Sequence, residues 1–180
     1  MATKLNYMQR LVFIVIFTLI TAVGHSQEIP SFFDVARFGT VAQIKNILAK
    51  NPTIITTLNQ DGFSALLLSI YRNNNEVAKY LLENGASINE NSPMGSPLMA
   101  AIVKGNNEMA TLLLDKKADV NTADANGTTA LIYAVQFSNT ALITKLLQRS
   151  ANKNHKDKQG KTAFEYAVFS GNESIINQLK

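Results

Sequence analysis

The sequence predicts an all-α protein, a solenoid of stacked helix-turn-helix units whose tips are loops or β-hairpins. Internal repetition is the first observation behind this fold class, because five segments share one template with a period of 32 to 33 residues. A small hydroxyl residue recurs where each first helix is expected to begin: Ser64, Ser96, Thr129 and Thr162. A pair of leucines recurs in the helix that follows: Leu81 and Leu82, Leu113 and Leu114, and Leu146 and Leu147.

Each unit is predicted to begin with a short first helix, and the third unit shows why. The hydroxyl of Ser96 can cap this helix, and Pro97 falls in its first turn, where a missing N–H costs nothing. The small side chains of Ala100 and Ala101 keep the helix thin, so neighbouring units can approach closely. A turn residue nine positions after the hydroxyl ends each first helix: Asn73, Gly105, Ser138 and Gly171.

A second helix is predicted next, over Glu108–Leu114 in the third unit. Met109, Leu112 and Leu113 have the i, i+3, i+4 spacing of an apolar helical face. Residues 118–127 then supply Asp, Asn and Gly, which favour an extended loop or hairpin. One unit cannot bury its own apolar face, so the units must stack. The leucines expected to align in the common core are Leu81, Leu113 and Leu146.

These segments resemble ankyrin repeats, whose first helix carries the signature Thr-Pro-Leu-His-x-Ala. The signature His is absent, which we expect to weaken local hydrogen bonding without changing the fold. Repeat three has Met94 where the family has a loop glycine, and Gly95 follows, which predicts a distorted tip. The matching segments read Ser-Ala-Leu-Leu (64–67), Ser-Pro-Leu-Met-Ala-Ala (96–101), Thr-Ala-Leu-Ile-Tyr-Ala (129–134) and Thr-Ala-Phe-Glu-Tyr-Ala (162–167).

The resemblance extends from about Pro30 to Lys180 and divides the chain into five repeats. The first is a degenerate copy followed by a longer loop that contains Pro52. The last stops partway through its second helix, and its polar end is what a finite solenoid needs. The predicted repeats are about 30–60, 61–92, 93–125, 126–158 and 159–180.

Residues 1–26 do not follow the template and are predicted to form a secretory signal peptide. Lys4 and Arg10 precede the mostly apolar run Leu11–Val23, and small residues such as Gly24 and Ser26 follow it. Cleavage after Ser26 leaves residues 27–180 as the ankyrin-repeat domain, with cleavage after Gly24 as the alternative. The apolar run is shorter than the about 20 residues of a transmembrane helix. We therefore expect export to the periplasm or the medium without stable membrane insertion, and an uncleaved N-terminal anchor is the alternative.

Composition narrows the function classes further. The chain has no cysteine, which excludes disulfides, thiolate catalysis and thiol-based metal sites. Its formal net charge of +4 falls to +2 without Lys4 and Arg10, because two of the 17 basic residues are lost against 13 acidic ones. A net charge of +2 is too small to indicate nucleic acid as a partner. Gly160-Lys161-Thr162 imitates the end of a phosphate-binding loop, but His155 stands where that motif needs its first glycine. No cofactor, metal or catalytic set is predicted.

The first candidate site is the face that the first helices and loop tips form, because ankyrin proteins generally bind partners there. Aromatic and basic residues recur where each first helix ends, and such side chains are frequent among interface hot spots. The alternative is that some of these rings pack back against the next loop. The candidate protein-binding residues are Arg37, Phe38, Tyr71, Arg72, Lys104, Phe137 and Phe169.

The second candidate is a basic run in repeat four and the loop after it, which an acidic partner could recognise by charge. Asp157 is the one acid within it, and the alternative is an ordinary solvated face. The run consists of Lys145, Arg149, Lys153, Lys156, Lys158 and Lys161.

Together these features predict an exported, non-catalytic module that binds another protein through its concave ankyrin face. We expect a monomer that acts as a periplasmic or envelope adaptor or protective protein. An immunity or inhibitor protein that blocks a toxin or hydrolase is the alternative, and an enzyme is the remote one.

Overall fold

The computed structural model describes residues 31–180, and the predicted signal peptide lies outside them. Ten α-helices form five pairs in this part of the chain, and a 3₁₀-helix over Pro52–Thr56 follows the first pair. The first helices of the pairs are α1 (Phe32–Phe38), α3 (Ala65–Tyr71), α5 (Pro97–Val103), α7 (Ala130–Gln136) and α9 (Ala163–Ser170). The second helices are α2 (Val41–Lys50), α4 (Asn75–Glu83), α6 (Asn107–Asp115), α8 (Thr140–Gln148) and α10 (Glu173–Leu179).

The hydroxyl residues predicted to start the first helices are their N-caps. Each side-chain oxygen accepts a hydrogen bond from the backbone N–H three residues later, which satisfies one of the free donors of the first turn. Thr162 also forms a capping box with Glu165. Ser31, which the template did not include, caps α1 in the same way. The capping residues are Ser31, Ser64, Ser96, Thr129 and Thr162.

The predicted turn residues end the first helices with a left-handed backbone. Positive φ angles of 53° to 67° reverse the chain so that the second helix can pack beside the first. In repeat one the same turn is one residue shorter, and Gly39, the C-cap of α1, has φ −90°. The four left-handed residues are Asn73, Gly105, Ser138 and Gly171.

The repeated leucines meet in one continuous core. Leu81, Leu113 and Leu146 are 0% exposed, and Leu179 holds the equivalent position in the last repeat. Leu112 of the predicted apolar face is half-buried and packs at the edge of this core. α6 is buried against several helices at once, so its buried face is wider than a single stripe. That face consists of Met109, Ala110, Leu113 and Leu114.

The first helices stack on one another from α1 to α9, and the second helices form a second layer. Successive first helices contact each other more extensively than successive second helices do, so the stack curves with the first helices on its concave side. The all-α solenoid prediction is therefore confirmed. Within residues 31–180, no helix combines the length and apolar character needed to cross a membrane.

The tips between repeats are tight loops with isolated β-bridges. In repeats two, four and five, an Asn or Asp N–H donates to the carbonyl four residues later, as Asp124 does to Thr128. In repeat three, Ser92 donates to Gly95 only three residues later. The distorted tip predicted from Met94 is thus a loop shortened by one residue.

Candidate functional site

Exposed apolar side chains are confined to one side of the solenoid. Among residues 31–180, every large hydrophobic residue that is exposed lies at the end of a first helix or at a loop tip, and none lies on a second helix. Phe169 is 91% exposed and Phe38 is 68% exposed. The full set is Phe38, Leu58, Met94, Val103, Phe137, Val168 and Phe169.

Cations of one repeat cover aromatic rings of the preceding repeat. The Arg72 guanidinium lies 4.9 Å from the ring centroid of Phe38, and the Lys104 ammonium lies 4.7 Å from that of Tyr71. Both rings occupy the position seven residues after the N-cap hydroxyl, and both cations occupy the next position of the following repeat. Each contact is worth about 0.5–1 kcal/mol at an exposed site. The structure therefore joins four of the predicted site residues into a ladder across repeats one to three.

The remaining candidates of this face are Phe137, Phe169 and Arg37, in repeats four, five and one. Phe137 is exposed and stacks on Tyr133 at a centroid distance of 6.4 Å. The Lys161 ammonium lies 5.9 Å from the ring centroid of Phe169. Arg37 does not join the ladder, because it lies two residues before the repeat position of Arg72 and Lys104 and forms an ion pair with Asp34 at 3.2 Å.

The loop carboxylates are occupied by hydrogen bonds that hold the tips in place. Asp124 accepts from the backbone N–H groups of Asn126 and Thr128 and from the Tyr133 hydroxyl at 2.6 Å. Burial of this hydroxyl, together with its bond to Asp124, raises the pKa of Tyr133 to about 12. These bonds fix the turn of the repeat-four loop and tie it to the first helix of the same repeat.

Asp157 repeats the arrangement in repeat five. It accepts from the Tyr166 hydroxyl at 2.5 Å and from the backbone of Gln159 and Lys161. Burial acts to raise the pKa of Asp157, but these hydrogen bonds and the nearby Lys161 charge outweigh it, so the pKa is lowered. His155 holds the neighbouring loop through a 2.8 Å contact between its Nε2 and the Gly127 carbonyl.

The basic run is divided between two sides of the molecule. Lys145 and Arg149 lie on α8 and contact the preceding second helix, Lys145 through Thr111 and Arg149 through Asp115 and the Leu114 carbonyl. Lys153 donates to the carbonyl of the C-terminal Lys180 at 3.0 Å. Lys156, Lys158 and Lys161 belong to the loop of repeat five, and Lys161 reaches the rings of the concave side.

Small clefts line the concave side between the first helices and the loop tips. One of about 220 Å³ lies among repeats two to four and includes Tyr71, Met94 and Val103 in its walls. Another of about 350 Å³ lies between repeats four and five, beside Tyr133 and Tyr166. No group of three or more His, Asp or Glu side chains within residues 31–180 is arranged to hold a metal ion.

Sequence reasoning found most residues of this face but missed its connections. It grouped the aromatic and basic residues without predicting that a base of one repeat covers a ring of the previous one. The repeat template could have predicted these contacts. Phe38 and Tyr71 occupy equivalent positions in it, and so do Arg72 and Lys104. Met94 was noted only as a distorted tip, although it lies exposed in the wall of a cleft.

Comparison with known proteins agrees with the repeat architecture. The family model for ankyrin repeats (3 copies) matches residues 32–124 and, in a second match, residues 98–180. No curated protein matches this chain. Since the two matches together cover most of the sequence and five helix pairs follow the repeat template, the chain belongs to the ankyrin-repeat family.

Proposed function

We propose that this chain is a non-catalytic module that binds another protein through its concave face. One observation carries the proposal: the exposed large hydrophobic residues of the described part lie on the first-helix and loop-tip side. Ankyrin repeats are protein-interaction modules, and an apolar surface edged by charge is typical of interaction sites. A partner seated on this side would cover the rings and meet the cations that lie over them.

The geometry of the face favours a protein over a small ligand. The aromatic and basic residues follow the stack from Phe38 to Phe169 and so present a long surface rather than one closed cavity. Small-molecule sites usually enclose most of their ligand in a pocket of about 300–1,000 Å³. The clefts on this face are instead interruptions of an extended surface, which suits the broad contact area of a folded partner.

Loss of two aromatic rings tests this surface. Replacing Tyr71 and Phe137 together with alanine is expected to weaken partner binding by more than about 2 kcal/mol, because large aromatic side chains dominate interface energies. The fold is expected to persist, since Phe137 is exposed and Tyr71 is half-buried. A partner captured from an envelope extract by the tagged full chain and identified by mass spectrometry would be titrated against both proteins.

Controls for that experiment lie on the second helices. Alanine at Lys79 and at Lys145 removes charge from α4 and α8 and is expected to leave partner binding unchanged. The assignment of the face is contradicted if the double variant binds like wild type while charge reversal at Lys153, Lys156 and Lys158 abolishes binding. That result would transfer the site to the basic run.

Export is the second part of the proposal and rests on the sequence of residues 1–26. Lys4, Arg10 and the apolar run Leu11–Val23 favour a signal peptide, followed by cleavage after Ser26. Cell fractionation is expected to place the protein outside the cytosol, and N-terminal sequencing is expected to begin at Gln27. A full-length cytosolic product would remove the basis for an envelope role.

Within an exported setting, we favour an adaptor or protective protein that holds an envelope or secreted client. An immunity or inhibitor protein would use the same face to block a toxin or hydrolase. A toxin gene beside the gene for this chain would favour the inhibitor role. The captured partner distinguishes the two directly, since an inhibitor abolishes the activity of its target and an adaptor leaves it intact.

A further inference from the structure

We propose that the cleft among repeats two to four receives an apolar anchor side chain from an acidic segment of the partner. This inference rests on the proposed function, because it places a specific recognition site within the concave face. Its walls include Leu67, Tyr71, Met94, Val103 and Tyr133, and Ala100 lies within it.

The cleft exists because repeat three lacks a side chain that repeats four and five possess. Tyr133 and Tyr166 stand four residues after the N-cap hydroxyl, and each donates to the Asp of its own loop. Ala100 holds the same position in repeat three and is too small to reach the loop. The gap between first helix and loop that a tyrosine fills in repeats four and five is therefore open in repeat three.

The shortened loop of repeat three completes the opening. The Ser92 hydroxyl donates to the Gly95 carbonyl at 2.9 Å and accepts from the Met94 N–H, so this tip is closed on itself without help from the first helix. Met94 is consequently left 46% exposed at the edge of the cleft. An unbranched methionine adapts its shape to the group beside it, which suits a wall that closes over a guest side chain.

The size and walls of the cleft fit one large side chain. Its volume of about 220 Å³ lies below the roughly 300 Å³ where small-molecule pockets begin. Leu67, Val103 and Met94 supply apolar surface, and Tyr71 and Tyr133 supply ring faces. Large apolar or aromatic anchors in such pockets are typical hot spots of protein interfaces.

Charge identifies the segment that carries the anchor as acidic. Arg72 and Lys104 lie over the rings of Phe38 and Tyr71, and neither takes part in an ion pair within residues 31–180. Asp124, at the repeat-four side of the cleft, is already held by Tyr133 and its own loop backbone. The acidic residues of the partner therefore belong on the Arg72 and Lys104 side of the anchor, where they complement the free cations.

The test uses a phage-displayed library of random linear peptides, selected against the purified full chain. Enriched peptides are expected to share one large apolar residue with Asp or Glu on one side of it. Ala100→Tyr is expected to weaken the binding of an enriched peptide about tenfold or more, because it fills the cleft as Tyr133 fills the gap in repeat four. The fold tolerates tyrosine at this position in two other repeats. Ala100→Ser keeps the cleft open and is expected to bind like wild type.

Lys104→Gln is a second variant. It changes an exposed side chain and is expected to leave the fold intact. It is expected to weaken the same peptide and to reduce the dependence of its affinity on salt, since it removes one of the complementary charges. Basic peptides, peptides without an apolar residue in common, or no enrichment would overturn the inference. Full binding to Ala100→Tyr would overturn it as well. If Ala100→Tyr keeps full binding while the Tyr71→Ala, Phe137→Ala variant no longer binds the captured partner, the anchor cleft is excluded as the recognition site. The concave face then remains the proposed binding surface.

Discussion

Leu113→Ala is expected to lower the free energy of unfolding by about 2–5 kcal/mol, the range for a buried leucine that leaves a cavity. Leu113 is 0% exposed in α6, in the middle repeat of the solenoid, with repeats on both sides. The first and second helices around it are fixed by their caps and by stacking, so they cannot close over the missing atoms. Urea unfolding of both proteins, followed by circular dichroism, measures the difference.

Two controls separate the cavity from other causes. Lys116→Ala changes an exposed residue at the end of α6 and is expected to remain within about 0.5 kcal/mol of wild type. Leu179→Ala removes the equivalent leucine from repeat five, which packs against one neighbouring repeat within residues 31–180, and is expected to cost less than Leu113→Ala. If Lys116→Ala costs as much as Leu113→Ala, the assigned register of the repeat is incorrect.

Positions that recur in every repeat were predictable from the sequence. Ser96 and Thr129 start helices because a hydroxyl oxygen satisfies a free backbone N–H, and this chemistry needs no knowledge of the neighbouring repeats. Asn73 and Ser138 end helices at a spacing that the template fixes. Local chemistry and period therefore determined the helices, their turns and the leucine core.

Contacts between repeats were not predictable in the same way. Lys145 and Arg149 read as part of one basic run, but the helical repeat turns them toward the preceding second helix, away from Lys161. Arg37 was grouped with Phe38 as a candidate of the concave face, but it lies six residues after its N-cap hydroxyl, not eight as Arg72 and Lys104 do, and it forms an ion pair with Asp34. The helix or loop that a side chain contacts depends on how the repeats pack, and a one-dimensional pattern does not carry that information.

Differences between repeats matter more for recognition than their similarity does. The template makes a stack, but a stack of identical repeats would present the same surface at every step. Ala100 in place of a tyrosine, together with the short loop at Ser92, leaves a gap between the first helix and the loop of repeat three, whereas Tyr133 and Tyr166 bridge that gap in repeats four and five. We therefore propose that departures from the template are the places where this solenoid recognises a specific partner.

Gly127→Ala is expected to destabilise the fold by about 2–5 kcal/mol, through backbone strain and through a close approach between two loops. Gly127 has φ +75°, in the left-handed region that L-residues adopt at a cost. A Cβ there would also lie 3.1 Å from the backbone nitrogen of Lys158 and 3.2 Å from the Cα of Asp157. Those atoms belong to the loop of repeat five, where Lys158 N–H donates to the Asn126 carbonyl and His155 contacts the Gly127 carbonyl. Neither loop can move aside without losing these bonds.

Gly160→Ala is the matched control, because Gly160 holds the same repeat position with φ +76° and has no atom within 4 Å of the added Cβ. Its substitution is expected to cost only the left-handed strain, about 1–2 kcal/mol. Urea unfolding of both variants therefore isolates the contact between loops as the difference between them. Limited proteolysis of Gly127→Ala is expected to release repeat five first, because its loop is the one displaced. Equal losses of stability in the two variants would show that the loops of repeats four and five do not pack closely, and that their helices alone join these repeats.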